Sequence, residues 1–384
     1  MNKGTILYIG FFSLPDKDAA AHRVINNAKI LRSLGYEVVF VDEQKEYPYE
    51  DLCSSERIID GFTVYSLKRP EGAIAYLKKM VDICQVEPII NKYSNIKMVI
   101  AYNYPSIALN KLMHRYGKKI RICSDCSEWY SGKEYGFPLN IFAKFDSFYR
   151  MRIVNKKLDG IIAISSYLEK YYFDATVTVN IPPLVDIREV IWHQQKYEYE
   201  RDKINLVYAG SPGRCKDLVK PIIEAVNNSS EPLQYVLRIV GITKEQYLEQ
   251  NADDSANIGK NNIIFLGRVS HEESVKIVSS SDYLIFLRER NRVSMAGFST
   301  KFVEAATCGT SVITTDTGDL KQYISGMNLG YVLENPQGLS SVLNLPFEIL
   351  KKDSNDSDNI KDLFDFNKYT NRFEEWIERV INRA

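Results

Sequence analysis

The chain has 384 residues, 45% hydrophobic and 26% charged, a balance that suits two ordinary domains and argues against a disordered chain or a fibre. Its 49 basic and 49 acidic side chains cancel, so nothing global draws it to nucleic acid. No apolar run reaches the ~18 residues of a membrane span, so a spanning helix is not expected, and peripheral attachment stays open.

The opening "MNKGTILYIG" has a basic start, but its short apolar stretch passes directly into "FFSLPDKDAA". It reads as a first buried strand rather than a signal peptide. Residues 19–37 then place apolar side chains at helical spacing and stop at Gly35, a suitable C-cap. "EVVFVD", "TVYSL", "KMVIAY", "KIRICSD" and "GIIAIS" follow as strands without polar alternation, the pattern of a parallel sheet covered on both faces. The spacing predicts further helices over 73–92, 104–116 and 139–158. This βα alternation predicts an α/β fold with a doubly wound sheet.

"TVNIPPLVD" closes the first series, giving an N-terminal domain over 1–186, and the polar stretch 187–203 reads as a linker. A second series, "INLVYAG", "YVLRIVG", "NIIFLG", "YLIFL", "SVITTD" and "GYVLEN", defines a domain over 204–368. Residues 369–384 form a helical pattern with Phe373, Trp376, Ile377 and Val380 on one apolar side. That side needs a surface to cover, either back across the junction on the N-terminal domain or within the second domain.

Six Cys are scattered along the chain. Cys123 and Cys126 in "CSDC" have redox or half-metal spacing, but no second pair lies suitably placed. A reduced, cytoplasmic protein without a metal is expected.

In open α/β sheets, ligands collect beyond the carboxyl ends of strands, where helix N-termini and loop amides converge. Four loops fit that place. "GFFSLPDKDAAAHR" follows the first strand but lacks the GxGxxG fingerprint. "ICSDCSEWYSG" offers Asp125 and Glu128 beside Trp129 and Tyr130, with "AYNYPS" on the same edge, a combination suited to sugar hydroxyls and ring faces. "YAGSPGRCKDLVK" turns at Gly210 and brings Arg214 and Lys216 to a helix start, where a guanidinium fork and an ammonium suit a diphosphate. Arg268, in "FLGRVSHEE", lies at another strand end.

The fourth is "MAGFSTKFVEAATCG". Gly297 relaxes the chain before a helix capped by Ser299 or Thr300. Lys301 lies in the first turn, unfavourable for a cation against the helix dipole unless an anion offsets it. Glu304, among small and apolar residues, is a candidate holder of ligand hydroxyls.

Taken in order, "LRSLGYEVVFVD", "IAISSYLEKYY", "VNIPPLVD", "YAGSPGRCKD", "NIIFLGRVSHEE" and "GFSTKFVEAATCGTSVITTDTGD" resemble retaining glycosyltransferases of family 4 over nearly the whole chain. The resemblance implies the GT-B arrangement, two doubly wound Rossmann-like domains facing across a cleft. It implies transfer of a sugar from a nucleotide-diphosphate sugar, with no cofactor or metal, to a glycan or lipid-linked acceptor. Bacterial surface polysaccharide synthesis at the inner face of the membrane is the implied setting.

In the family, an acid, seven residues and a second acid mark the donor loop. Glu304 matches the second, which holds the ribose, while Ala296 stands where the first would contact the sugar. Lys216 matches the family's Lys. Ser211 replaces its Arg, leaving Arg214 to substitute from the longer turn, and Gly318–Asp319 replaces a Gly-Gly pair. Arg214 and Lys216 are thus the expected catalytic groups, holding the departing diphosphate with loop amides; Asp125 is an expected acceptor-side base by position. Gly210, Arg268, Gly297, Phe298, Ser299, Lys301 and Glu304 are the expected donor contacts. Two other readings remain: a nucleotide-sugar epimerase on the same plan, which needs acid–base groups at the site, or a non-catalytic nucleotide-sugar-binding partner.

Overall fold

The computed structural model describes residues 2–15, 18–132, 136–212, 217–260, 262–353 and 360–383. The chain divides into two compact units, Met1–Val185 with Asp365–Ala384, and Asp186–Phe364.

The first unit holds β1 (Thr5–Gly10), β2 (Glu37–Gln44), β3 (Arg57–Ile59), β4 (Phe62–Lys68), β5 (Ile96–Tyr102), β6 (Arg121–Cys126), β7 (Gly160–Ala163) and β8 (Val177–Asn180). They form one sheet in the order β3-β4-β2-β1-β5-β6-β7-β8, parallel except for β3, which pairs antiparallel with β4. β1 is buried along its whole length, as its unbroken apolar run requires. The helix Ala19–Ser33 starts where the Asp18 carboxylate accepts from the Ala21 N–H, satisfying an orphan donor of the first turn.

Two local readings need correction. The single helix expected over 73–92 is two, Gly72–Val81 and Glu87–Lys92. Asp82 leaves the helical conformation and accepts from the Cys84 N–H, and Pro88 fits only the first turn of the second piece. The strands β3 and β8 lay outside the predicted set. β3 is a three-residue, half-exposed edge, and β8 is four residues long, too short for its period to separate it from a linker.

The last helix, Thr370–Ile381, belongs to the first unit. Phe373, Trp376, Ile377 and Val380 are buried in the same apolar cluster as Ile6, Val24 and Leu31, and Trp376 Nε1 donates to the Val177 carbonyl at 3.1 Å. Four such side chains at roughly 1.5–3 kcal/mol each explain why the helix stays docked.

The second unit holds β9 (Ile204–Ala209), β10 (Tyr235–Val240), β11 (Ile263–Gly267), β12 (Tyr283–Phe286), β13 (Ser311–Thr315) and β14 (Gly330–Leu333). The order is β11-β10-β9-β12-β13-β14, with parallel pairing throughout. Of the polar stretch 187–203, Tyr197 is tied to this unit: its N–H donates to Ser280 Oγ and its hydroxyl to Glu273. Strand order reverses between β1 and β5 in the first unit, and between β9 and β12 in the second. Such reversals are where open α/β sheets can form a crevice beyond the strand ends.

Candidate donor-binding edge

Beyond β9 and β12 the second unit assembles a buried ionic cluster. Leu218 N donates to the Leu287 carbonyl at 2.9 Å, drawing together the loops that follow the two strands. Asp217 consequently lies beside Arg288, with Arg288 Nε 2.6 Å from its Oδ1. The Tyr208 hydroxyl donates to Asp217 Oδ2 at 2.9 Å, and Lys301 Nζ lies 2.9 Å from the same oxygen. Burial pushes the Asp217 carboxyl up, but the Lys301 and Arg288 charges outweigh it and hold the group at about 2.

This cluster answers the conflict posed by Lys301. A cation in the first turn of the helix Thr300–Cys308 opposes the dipole, and Asp217 is the anion that offsets it. The geometry also explains Gly210. Its φ is +114°, a backbone conformation that favours glycine, and the Lys301 ammonium lies close by, 2.8 Å from where a Cβ would stand.

The start of the Thr300–Cys308 helix is uncapped. Ser299 is its N-cap by position, yet its side chain makes no capping bond. Its hydroxyl is buried and has no hydrogen-bond partner. A buried hydroxyl left unpaired costs about 1–3 kcal/mol, and the first-turn N–H donors have no intrahelical partners. Gly318 (φ +57°) backs this loop, since a Cβ there would meet the Gly297 carbonyl at 2.7 Å. Gly297 is extended, with φ −85° and ψ 175°, and ends the short helix Arg292–Ala296.

One turn further on, Glu304 is partly open, its side chain 24% exposed, and its Oε1 lies 3.2 Å from His271 Nε2. Ser270 caps the helix His271–Ser279, placing His271 at its first position, and the imidazole meets the Trp192 ring edge-on. His271 was not among the expected site residues; it is the side-chain partner of Glu304. Asp217 and Arg288 were also missed, though both follow strand ends, the signal that selected Gly210.

The remaining expected contacts divide. Phe298 is buried against Phe302, Tyr323 and Phe364, so its ring serves the core and only its backbone can meet a ligand. Arg268 is exposed beyond β11, two strands from β9. Ala296 is fully buried, so a carboxylate at that position would be a buried charge. Arg214 and Lys216 lie outside the described residues. Among the described residues, no group of three or more His, Cys, Asp or Glu is placed to hold a metal ion.

The first unit's edge is closed. Asp125 is completely buried; Arg23 binds it through Nε and Nη2 at 2.9 and 2.7 Å, and the Tyr8 hydroxyl donates at 2.5 Å. Arg23 also donates to the Ile181 carbonyl at 2.8 Å, joining the sheet to the "IPP" segment. A carboxylate so enclosed cannot reach an acceptor, and the expected base role for Asp125 gives way to a structural one. Trp129 is likewise buried, edge-on to Tyr171, rather than a platform for a sugar ring. The edge does present Phe11, stacked on Tyr104, with Lys79 Nζ 4.6 Å from the Phe11 ring centre and paired with Glu43.

Residues 193–358 match the family model described as "Glycosyl transferases group 1". Among curated proteins, none matches the chain. Among solved structures, the chain is similar to sucrose-phosphate synthase from Thermosynechococcus elongatus, with a TM-score of 0.72, 14% identity and 100% of both chains covered. It is also similar to Anabaena HepE in complex with UDP-glucose, with a TM-score of 0.65, 15% identity, and 98% and 99% of the two chains covered. A trehalose-6-phosphate structure from E. coli bound with UDP-2-fluoro glucose gives a TM-score of 0.65 at 10% identity over 99% of each chain. At such identities the likeness shows the fold, which is GT-B.

Proposed function

We propose that this chain, a glycosyltransferase of GT-B fold, is a retaining enzyme that moves a hexose-type unit from a nucleotide-diphosphate sugar to a glycan or lipid-linked acceptor. The setting we assign is the cytoplasmic face of a bacterial membrane, in surface polysaccharide synthesis. One observation carries the donor half: at the strand-order reversal of the second unit, an uncapped helix start and a buried, unpaired Ser299 hydroxyl lie one turn from the partly open Glu304.

Each group has a distinct task. The Glu304 carboxylate accepts two ribose hydroxyls, and His271 fixes its orientation. Ser299 Oγ and the first N–H groups of the helix face the diphosphate, whose charge suits a helix N-terminus. Asp217, itself paired with Arg288, holds Lys301 against the strand end, so the ammonium adds positive potential there without swinging free. Arg214 and Lys216 follow the same strand in sequence and supply the remaining cations that stabilise the departing diphosphate. With Ala296 buried, the sugar is recognised through loop amides rather than an acid at that position.

Several observations support the setting. Among the described residues, Cys53, Cys84, Cys123 and Cys126 are free thiols, in keeping with a reducing compartment. No described helix is long and apolar enough to cross a membrane. The test is incubation of the full chain with UDP-, GDP-, ADP- and CDP-sugars and candidate acceptors, reading the anomeric configuration of the product by NMR. A glycoside that keeps the donor's configuration supports the reading. An inverted product contradicts the retaining assignment, and an epimerised nucleotide-sugar or no product contradicts transfer itself.

A further inference from the structure

The helix Leu139–Tyr149 is amphipathic in the reverse sense. Its inward positions are Ala143 and Ser147, continued by Arg150 and Met151 in the following turn. Its outward positions carry Ile141, Phe142, Phe145 and Phe148, each between 40% and 59% exposed. Phe137, just before the helix, is 83% exposed, and Ile153, just after it, is exposed too. Positions 141, 145 and 148 recur at i, i+4 and i+7, so they form one continuous stripe, with Phe142 beside it. An isolated exposed apolar side chain is ordinary, but a contiguous aromatic face is not.

The exposed charged side chains of the segment 139–158 are all basic. Lys144, Arg152, Lys156 and Lys157 are exposed, and the Arg152 guanidinium lies 5.0 Å from the Phe148 ring centre. The one acid between Leu139 and Leu158 is Asp146, whose Oδ1 is engaged by the Ser106 N–H and hydroxyl, each at 2.7 Å. A second copy of the chain on this face would set cation against cation. An anionic lipid surface meets both features at once: aromatic rings enter the headgroup–acyl boundary, and the surrounding cations pair with phosphates.

We propose that the face formed by Phe137, Ile141, Phe142, Phe145 and Phe148, with the exposed cations of the same segment, Lys144, Arg152, Lys156 and Lys157, docks the protein on an anionic phospholipid bilayer. The inference is independent of the donor site, since none of these residues belongs to it. Docking keeps the first unit at the surface where a lipid-linked acceptor would be embedded.

The test is flotation of the full chain with vesicles of phosphatidylcholine alone, or with about one-third phosphatidylglycerol. Binding at least tenfold stronger to the anionic vesicles, weakened by salt, is expected from four exposed cations near such a surface. A Phe142→Ser, Phe145→Ser, Phe148→Ser triple variant loses that binding about tenfold or more, while its thermal melt and nucleotide-sugar affinity stay at wild-type values. A Lys144→Glu, Arg152→Glu, Lys156→Glu variant loses the preference for anionic vesicles. Equal binding to both vesicle types, binding to neither, or a lipid-independent dimer that the triple serine variant dissolves would overturn the proposal.

Discussion

The two units repeat one topological device and use it in opposite ways. Each sheet reverses strand order beside its first strand, and each places a buried carboxylate at a strand end or in the loop beyond it: Asp125 in the first unit, Asp217 in the second. In the first, the guanidinium and the phenol close around the acid, and the Ile181 carbonyl of "IPP" accepts from the same guanidinium, sealing the edge. In the second, Asp217 is sealed as well, but its two cations prop up a loop that leaves Ser299 unpaired and Glu304 open. A carboxylate at a strand end is therefore no sign of chemistry. What separates the two edges is access: the Glu304 side chain is 24% exposed, whereas Asp125 is completely buried.

Three substitutions probe that contrast. Asp125→Asn should have the largest effect, because it leaves Arg23 buried without its counter-charge, a loss of about 3–5 kcal/mol. Urea unfolding would show it, with nucleotide-sugar affinity unchanged. A mild effect on unfolding paired with lost transfer would instead restore Asp125 to the chemistry.

Asp217→Asn should cost about 2 kcal/mol at neutral pH, from a carboxyl held near 2 against an ordinary value of 3.8. The folded value is depressed, so this stabilisation is complete above about pH 4 and disappears as pH falls toward 2. Melting curves of wild type and variant should therefore differ at pH 7 and converge in acid. A gap that stays constant with pH would contradict the charge account.

Ser299→Ala is the smallest and sharpest case. Removing an unpaired buried hydroxyl should leave the free protein unchanged or more stable by ~1 kcal/mol, while donor affinity falls roughly three- to tenfold. A drop in both would mean that the hydroxyl has a structural partner.

Much of this architecture was legible in the chain. Strands such as "TILYIG" and "INLVYA" lack polar alternation because both faces are covered, and Trp376 and its neighbours declared a face in need of a partner. The first-turn Lys301 signalled a nearby anion, although the anion is a residue of the chain. The partnerships themselves were not legible. Arg23 meets Asp125 across 102 positions, and His271 meets Glu304 across 33, separations at which spacing carries no information. Burial hid the rest: Trp129 and Ala296 read as site residues by position, and only the packed fold shows that neither faces outward.

The central claim is that the second unit holds a nucleotide-diphosphate sugar through Glu304 and the uncapped helix start. Isothermal calorimetry of the full chain and its Glu304→Gln variant against UDP-, GDP-, ADP- and CDP-sugars tests it most directly. The account predicts that one nucleotide class binds the wild type, and that the variant binds it about ten- to a hundredfold more weakly, as expected for losing hydrogen bonds to a charged group. Binding of none of them, or equal affinity in the variant, would contradict it.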